Sequence, residues 1–173
     1  MITYREINFR NINDCTILSE FVKNIDIQHL SYPNFNECPF VEFEPNQILG
    51  TNDPNHHCFF ILSNDTPIGD FSICLNFPLL FNKKANRAWI SISINNKNYR
   101  GIGIGKIVFD HIIHKCKQLG VTSIELGVFE FNKIAIAFYE KLGFERIGVV
   151  PNFTYYNESW HDDYRYELKL YKK

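Results

Sequence analysis

The sequence predicts a single α/β domain that takes in the whole chain, residues 1–173. Strand-like and helix-like segments alternate along it, and a glycine-rich turn joins one such strand to the helix that follows. The chain is 45% hydrophobic and 16% aromatic, which is enough apolar material for one core and too little for two large domains. A charged fraction of 21% leaves an ordinary water-facing surface.

The first half of the chain predicts a strand, a helix and a hairpin. Apolar and polar residues alternate from Ile2 to Ile7, and capping residues at 11–14 precede an amphipathic run that ends near Val22 or Lys23. Prolines interrupt residues 24–54, where we expect an irregular chain with a short helix near Glu42 to Leu49. The predicted hairpin strands are 58–62 and 68–76, joined by a turn at 64–67.

The second half alternates strands with helices and ends in a hairpin. Apolar residues repeat with helical spacing from Ile104, and Gly143 stops a second helix. The predicted elements are a strand at 88–94, a helix from 104 to about 119–120, a strand at 123–129, a helix at 133–142, a strand at 144–150, and hairpin strands at 153–156 and 164–168.

Composition and charge argue against several classes of protein. The net charge is -1 and the Lys and Arg residues are scattered, which disfavours a nucleic-acid partner. No apolar run reaches membrane-spanning length, and the early charges at Arg5 and Glu6 do not fit a signal peptide. The five cysteines form no CxxC pair, so neither a disulfide framework nor a zinc site is indicated. We therefore expect a cytoplasmic protein without a membrane or nucleic-acid partner.

The segment from Tyr99 to Lys106 is a candidate anion site. It lies between a predicted strand and a predicted helix, where successive backbone N–H groups and the helix N-terminus attract negative charge. A P-loop is excluded because Gly101 and Gly105 enclose three residues rather than four, and Ile107 follows Lys106. A dinucleotide fingerprint stays open but weakened, since Lys106 takes the place of its third glycine, and a tight turn without any ligand also stays open.

A second motif lies one strand downstream. It begins at Asn132 and has the spacing Asn-x-x-Ala-x-x-Phe-Tyr-x-x-x-Gly-Phe, ending at Phe144. Together with the Arg-x-x-Gly-x-Gly turn at 100–105, it resembles the GNAT superfamily of N-acetyltransferases. The resemblance extends over residues 88–168, and the stretches 94–101 and 148–162 are similar to the branch that contains ribosomal-protein-alanine and spermidine N-acetyltransferases.

The resemblance implies a fold and a reaction. The fold is a mixed, mostly antiparallel sheet of about seven strands, with helices on both faces and a split between strands 4 and 5. The reaction is direct transfer of an acetyl group from acetyl-coenzyme A, without a metal, to a primary amine of a small molecule or of a peptide N-terminus. Homodimers are common in such folds, so a homodimer is a further expectation.

The resemblance also implies roles for individual residues. Backbone groups at the end of the fourth strand would pair with the pantetheine arm, the glycine turn would hold the pyrophosphate, and Asn132 would bond to the arm. Tyr139 would be the general acid that protonates the departing thiolate, although a core aromatic residue would show the same pattern. The residues implied to bind the cofactor are Ser93, Ile94, Asn95, Arg100, Gly101, Ile102, Gly103, Ile104, Gly105, Lys106 and Asn132.

The identity of the general base is open. Some relatives carry a Glu five residues before the Asn of the second motif, and this chain has Gly127 there. Glu125 or Glu130 could act through water, and each could equally be a solvated carboxylate. Gly127 also supports an alternative function, a non-catalytic sensor that binds acyl-coenzyme A. Three acidic residues of the irregular segment could attract a cationic amine, namely Glu37, Glu42 and Glu44.

Histidine and cysteine residues of the 104–120 helix have simpler explanations than chemistry. His111 and His114, with Asp110, have a spacing compatible with a metal, but they fall on the polar side, so we expect a solvated face. Cys116 falls on the apolar side, which disfavours a reactive thiolate and an acyl-enzyme route.

Overall fold

The computed structural model describes residues 1–24, 29–30 and 53–171. The helix expected near Glu42 to Leu49 and the acidic residues Glu37, Glu42 and Glu44 lie outside the described residues. The strands are β1 (Ile2–Glu6), β2 (His56–Ser63), β3 (Thr66–Leu75), β4 (Arg87–Ile94), β5 (Ser123–Phe129), β6 (Glu145–Tyr156) and β7 (Ser159–Lys169). The helices with described bounds are α1 (Ile12–Val22), α2 (Ile104–Gln118) and α3 (Lys133–Lys141).

The seven strands form one sheet in the order β1-β2-β3-β4-β5-β7-β6. Neighbouring strands are antiparallel except β4 and β5, which are parallel. A parallel pair needs a long crossover, and α2 lies in the connection between these two strands. The structure thus confirms the mixed, mostly antiparallel sheet and the special position of the β4–β5 pair.

Helices cover both faces of the sheet, as expected. Successive strand residues point to opposite faces, so β2 divides its side chains between two apolar clusters. Phe60 and its neighbours on one face contact α1, and Phe59 and Ile61 on the other face belong to the larger core that α2 completes. We call these the α1 face and the α2 face of the sheet.

The C-terminal strands differ from the sequence prediction. The two strands expected at 144–150 and 153–156 are one strand, β6, whose register with β7 shifts between Val150 and Thr154. The chain accommodates Pro151 in this irregular stretch, where Asn152 has a positive φ of 50°. β7 begins at Ser159 rather than Tyr164, because Asn157 and Glu158 both adopt positive φ and make a two-residue hairpin turn.

The expectation of a solvated polar face on α2 is wrong for His111. Its ring stacks on Tyr4 of β1 at a centroid distance of 3.9 Å, and burial lowers the pKa of the imidazole. His114 is exposed, as expected. No group of three potential metal ligands occurs within residues 1–24, 29–30 and 53–171. Cys116 is fully buried, and burial raises its pKa to about 12, in agreement with an unreactive thiol.

Candidate functional site

The sheet opens between β4 and β5. These strands pair only through Arg87, Ala88 and Trp89 with residues 123–125. Arg87 fastens the closed end, since its Nη1 donates to Ser123 Oγ at 2.6 Å and forms an ion pair with Glu167. Beyond Trp89, β4 is paired with β3 alone and β5 with β7 alone. The remaining lengths of β4 and β5 therefore present backbone groups to the gap between them.

The end of β4 is held by a side chain from the glycine turn. Arg100 donates from Nε to the Ile94 carbonyl at 2.7 Å and from Nη2 to the Asn95 carbonyl at 2.8 Å. The side chain of Asn95 is buried and donates to Asp70 Oδ1 at 3.2 Å. The structure thus brings Ser93, Ile94, Asn95 and Arg100 together, and Arg100 ties the turn to the mouth of the gap.

The glycine turn presents free backbone donors at the start of α2. Gly103 is the N-cap residue, with φ of 89°, and no side chain caps the helix. A Cβ added at Gly101 or Gly103 would meet no atom within 4 Å, so one side of the turn is open. In the described chain, the N–H groups of residues 102–105 have no hydrogen-bond acceptor. Unsatisfied donors at a helix N-terminus form a ready site for an anion.

Lys106 and Gly105 have different surroundings from the rest of the turn. Lys106 is exposed and pairs with Asp110 one helical turn later, at 2.8 Å. Gly105 faces α3, and a Cβ there would lie 3.3 Å from the Phe138 ring. The glycine therefore permits close packing of α2 against α3, the helix that carries the second motif.

Asn132 begins α3. Its Oδ1 accepts a hydrogen bond from the Ala135 N–H at 3.2 Å, which makes it the N-cap. This cap explains an Asn at the start of the motif on structural grounds alone. The Nδ2 group makes no hydrogen bond to a described residue, so the same side chain keeps a donor for a ligand.

Tyr139 lies on α3 among aromatic residues. Its ring is in edge or tilted contact with Phe109 at 5.8 Å and with Phe144 at 5.7 Å. Its hydroxyl makes no hydrogen bond to a described residue. Burial raises the pKa of the phenol to about 12, so the proton stays on the oxygen at neutral pH. The half-buried side chain packs against the core and still carries a proton that it can donate.

A set of charged residues lies on the α1 face, beside the closed end of the gap. The alternation of β4, β5 and β7 places them on this face, opposite the side that α2 covers. They are Arg87, Glu125, Asp163, Arg165 and Glu167, and all except the half-buried Arg87 are more than nine-tenths buried. The loop at residues 77–86 contacts two of them, since its backbone donates to Glu125 and the Phe81 ring lies under the Arg165 guanidinium. Phe81 also lies directly over Gly148.

The two acidic residues considered as bases are held by other groups. Glu125 accepts hydrogen bonds from the backbone N–H groups of Phe81 at 2.8 Å and Asn82 at 3.3 Å. Glu130 accepts from or pairs with His161 Nδ1 at 2.9 Å. Glu125 therefore anchors the 77–86 loop, and Glu130, just after β5, is paired with His161 of β7.

Asp163 and Arg165 were not predicted as site residues from the sequence. They alternate with Tyr164 and Tyr166 in β7, a pattern that is also typical of a strand with one face in water. The available signal was the pairing of β7 with β5, which places Arg165 opposite Gly127, a residue without a side chain. This pairing is recognised only once the register between β5 and β7 is known, and these strands are more than thirty residues apart in the sequence.

A protein-family model, described as the acetyltransferase (GNAT) family, matches residues 21–144 of this chain. The match spans more than half of the sequence and includes both the glycine turn and Tyr139. The chain belongs to the GNAT acetyltransferase family. This family uses acetyl-coenzyme A as its acetyl donor and acts on amines. No match was found among curated protein sequences.

Solved structures share the fold over nearly the whole length. An N-acetyltransferase from Staphylococcus aureus is 20% identical, with 99% of each chain covered and a TM-score of 0.75. A proposed acetyltransferase from Salmonella typhimurium, solved with its cofactor acetyl-CoA, is 17% identical, covers 99% of this chain and 95% of its own, and has a TM-score of 0.75. A ribosomal-protein-alanine N-acetyltransferase from Brucella melitensis is 18% identical, with 98% and 99% covered and a TM-score of 0.73.

The arrangement of this GNAT chain fits acetyl-coenzyme A. The uncapped N–H groups of the turn suit a pyrophosphate, and the unpaired edge of β4 suits the amide groups of a pantetheine arm. A Cβ at Gly101 or Gly103 would project into open space, so these glycines leave the backbone of the turn accessible. No helix within the described ranges is both long and apolar enough to cross a membrane.

Proposed function

We propose that the chain works as one N-acetyltransferase domain, residues 1–173, which moves the acetyl group of acetyl-coenzyme A directly onto a primary amine. The observation that carries this proposal is that the sheet opening and the glycine turn lie at the same place. The opening between β4 and β5 and the uncapped glycine turn meet at one point, where Arg100 joins them. A tight turn without a ligand would not need an opened parallel pair beside it.

The binding roles follow from the free backbone groups. The N–H groups of Ile102 to Gly105 hold the pyrophosphate, with the positive end of α2 behind them. The edge of β4 from Ser93 to Asn95 receives the pantetheine amides as a neighbouring strand would. Arg100 acts by keeping the turn and the strand end in register. Asn132 Nδ2 donates to the arm from the start of α3.

Tyr139 has the properties of the acid in this reaction. Acetyl-coenzyme A supplies the thioester that the amine attacks. The Tyr139 hydroxyl keeps its proton at neutral pH because burial raises its pKa to about 12. A departing thiolate that takes this proton leaves as a neutral thiol, and the phenol then recovers a proton from solvent. A backbone N–H at the β4 edge supports the negative oxygen of the intermediate.

The experiment that tests the function is thiol release by the purified protein. Acetyl-coenzyme A is offered with spermidine, single amino acids, an aminoglycoside, and Ala- or Ser-initiated peptides, each beside a reaction without amine. Release that depends on one of these amines establishes the enzyme and its acceptor class. Release at the rate of the amine-free reaction throughout the panel contradicts the proposal.

A second candidate is an acyl-coenzyme A sensor. It is favoured by the engagement of both Glu125 and Glu130 with other protein groups, which leaves neither as an obvious base. A sensor binds acetyl-coenzyme A in calorimetry and releases no thiol with any amine. The two functions are therefore separated by measuring binding and turnover on the same preparation.

A further inference from the structure

The carboxylate of Asp163 lies over Gly127 at the point where the sheet opens. Gly127 is two residues beyond Glu125, the last residue of β5 that pairs with β4. A Cβ built on Gly127 would lie 2.7 and 2.8 Å from the two carboxylate oxygens of Asp163, and 2.9 Å from the ring of Trp89. Any side chain at 127 would displace this carboxylate. The glycine is what lets a residue of β7 reach across β5 to the gap.

A positioned partner holds the carboxylate, yet leaves part of it free. Arg165 Nε lies 2.6 Å from Asp163 Oδ2, and Asp163 Oδ1 accepts no hydrogen bond from the described residues. Arg165 is 4% exposed, and neither its Nε nor its Nη1 makes a hydrogen bond in the described chain, so its contact with Asp163 is an ion pair. A buried guanidinium nitrogen without a hydrogen bond is costly, so this pair can accept a further polar group.

Tyr139, the proposed acid, and the Asp163 carboxylate lie on opposite faces of the sheet. Tyr139 packs against Phe109 of α2, on the α2 face. Trp89, Gly127 and Asp163 lie on the α1 face, since β4 and β5 alternate from the pairs that end at Trp89 and Glu125. The β4–β5 gap connects the α1 face with the α2 face. A thioester in the gap would meet a proton donor on one side and a carboxylate on the other.

We infer, on the basis of the proposed function, that Asp163 is the general base that takes the proton from the attacking amine. The C–N bond forms as the amine nitrogen attacks the thioester carbon, and the C–S bond breaks. Of the two protons lost by an incoming ammonium, the first passes to Asp163 and on to solvent. The second passes from the nitrogen to solvent as the intermediate collapses, and it balances the proton that Tyr139 gives to the sulfur and regains from solvent.

The surroundings set the protonation of Asp163. Burial raises its pKa to about 6, against the lowering effect of Arg165. The other charged groups on this side of the strands are Arg87 of β4, Glu125 of β5, Glu167 of β7, and Glu130, just after β5, with its partner His161 of β7. Arg87 pairs with Glu167, and Glu125 is bonded to the 77–86 loop. Asp163 is therefore ionised at neutral pH and can accept a proton.

The test is the pH profile of kcat/KM for thiol release, with the panel amine that gives the fastest turnover. Wild type is compared with Asp163→Asn and with Asp162→Asn, a control one residue away whose carboxylate accepts from the Asn152 N–H at 3.0 Å. The same amine serves throughout, so its own ionisation is common to all profiles. Binding of acetyl-coenzyme A by calorimetry reports on folding and on the cofactor site.

We expect the wild-type rate to fall as the pH drops through about 6. Asp163→Asn should lose this acidic limb and roughly a hundredfold of kcat/KM, with unchanged affinity for acetyl-coenzyme A. Asp162→Asn should behave as wild type. Should Asp163→Asn not fold, the double variant Asp163→Ala, Gly127→Glu returns a carboxylate to the same space from β5. The Trp89 ring must shift to admit it, and recovery of the limb supports a chemical role.

Three outcomes overturn the inference alone. The first is a wild-type profile in Asp163→Asn, and the second is no recovery of the limb in a folded double variant. The third is loss of the limb in Asp70→Asn, since Asp70 is a half-buried carboxylate on the same face, with a pKa raised to about 7 by burial. A wild-type protein that releases no thiol with any panel amine overturns the proposed function and this inference together.

Discussion

Under the proposed function, single residues of this chain have two tasks, and Tyr139 is the clearest case. Its ring fills space between Phe109 and Phe144, while its hydroxyl makes no hydrogen bond to a described residue. The side chain is half-buried, so water or a ligand can be the partner of this hydroxyl. In the proposed function the hydroxyl is the proton donor.

Tyr139→Phe should lower kcat by roughly a hundredfold or more, because the thiolate loses its proton donor. Affinity for acetyl-coenzyme A and the melting temperature should stay near wild type, since the ring is retained. Thiol release and calorimetry measure the two effects. Tyr4→Phe is the matched control, because it removes a hydroxyl that donates to the Ile107 carbonyl at 3.3 Å near the edge of the sheet. Unchanged turnover in Tyr139→Phe would remove Tyr139 from the mechanism.

The residues that the sequence predicted are those defined by local spacing. Tyr139, Asn132 and the glycines of the turn stand in short motifs whose geometry is set within one strand-to-helix connection. Asp163 and Arg165 could not be found in this way, because Arg165 packs on Phe81 of a distant loop and the position of Asp163 over Gly127 depends on the pairing of β7 with β5. Contacts across long stretches of sequence leave no trace in a local pattern.

At the scale of elements, the backbone conformation at the start of α2 forms the proposed anion site. Gly103 has φ of 89° and Gly120, just past the other end of the helix, has φ of 73°. Neither would meet an atom within 4 Å if it gained a Cβ. The two positions thus have similar backbone demands, and Gly103 alone of the two lies at the helix end that attracts anions.

Gly103→Ala and Gly120→Ala should each destabilise the fold by about 1 kcal/mol, because a Cβ is unfavourable in the left-handed region. Only Gly103→Ala should also weaken acetyl-coenzyme A binding, since its methyl group would project where the phosphates approach the backbone. Denaturant unfolding and calorimetry measure these effects. Equal loss of affinity in both variants would show that the turn is not the pyrophosphate site.

Element boundaries were predicted well where caps and glycines are strong signals. α2 and α3 follow the expected bounds within two residues, because Gly103 and Asn132 define their starts and Gly143 follows the second. β6 was split in the prediction because Pro151 is typical of a break. The strand continues past it through a shift in register, a tertiary solution that pairing with β7 makes possible.

At the scale of the whole molecule, the opening divides the sheet into β1–β4 and β5–β7. Three residue pairs and the Arg87 contacts with Ser123 and Glu167 connect the two parts at the closed end. A ligand that bonds to β4 and to the turn completes a surface that the protein leaves unpaired. Its binding energy should therefore add directly to the stability of the fold.

Acetyl-coenzyme A at a hundredfold excess over its dissociation constant should stabilise the protein by about 2.7 kcal/mol. For a chain of this size, that corresponds to a rise in melting temperature of roughly 5–10 °C. NAD should give no shift, since Lys106 stands where a dinucleotide fingerprint needs its third glycine. A thermal scan with each ligand distinguishes the two cofactors. A rise in melting temperature with NAD alone would support the dinucleotide interpretation.

Trp89 lies where the pairing of β4 with β5 ends, and this position makes it an intrinsic fluorescence probe of the gap. Its indole is within 4.7 Å of the Arg165 guanidinium, measured from the ring centroid, and contacts Phe77. The other tryptophan, Trp160, is exposed on the last hairpin beside Tyr155. In a Trp160→Phe variant, the remaining tryptophan fluorescence comes from Trp89 at this point. A ligand entering the gap should change the intensity or colour of this emission, so its arrival could be timed in a stopped-flow instrument without any label.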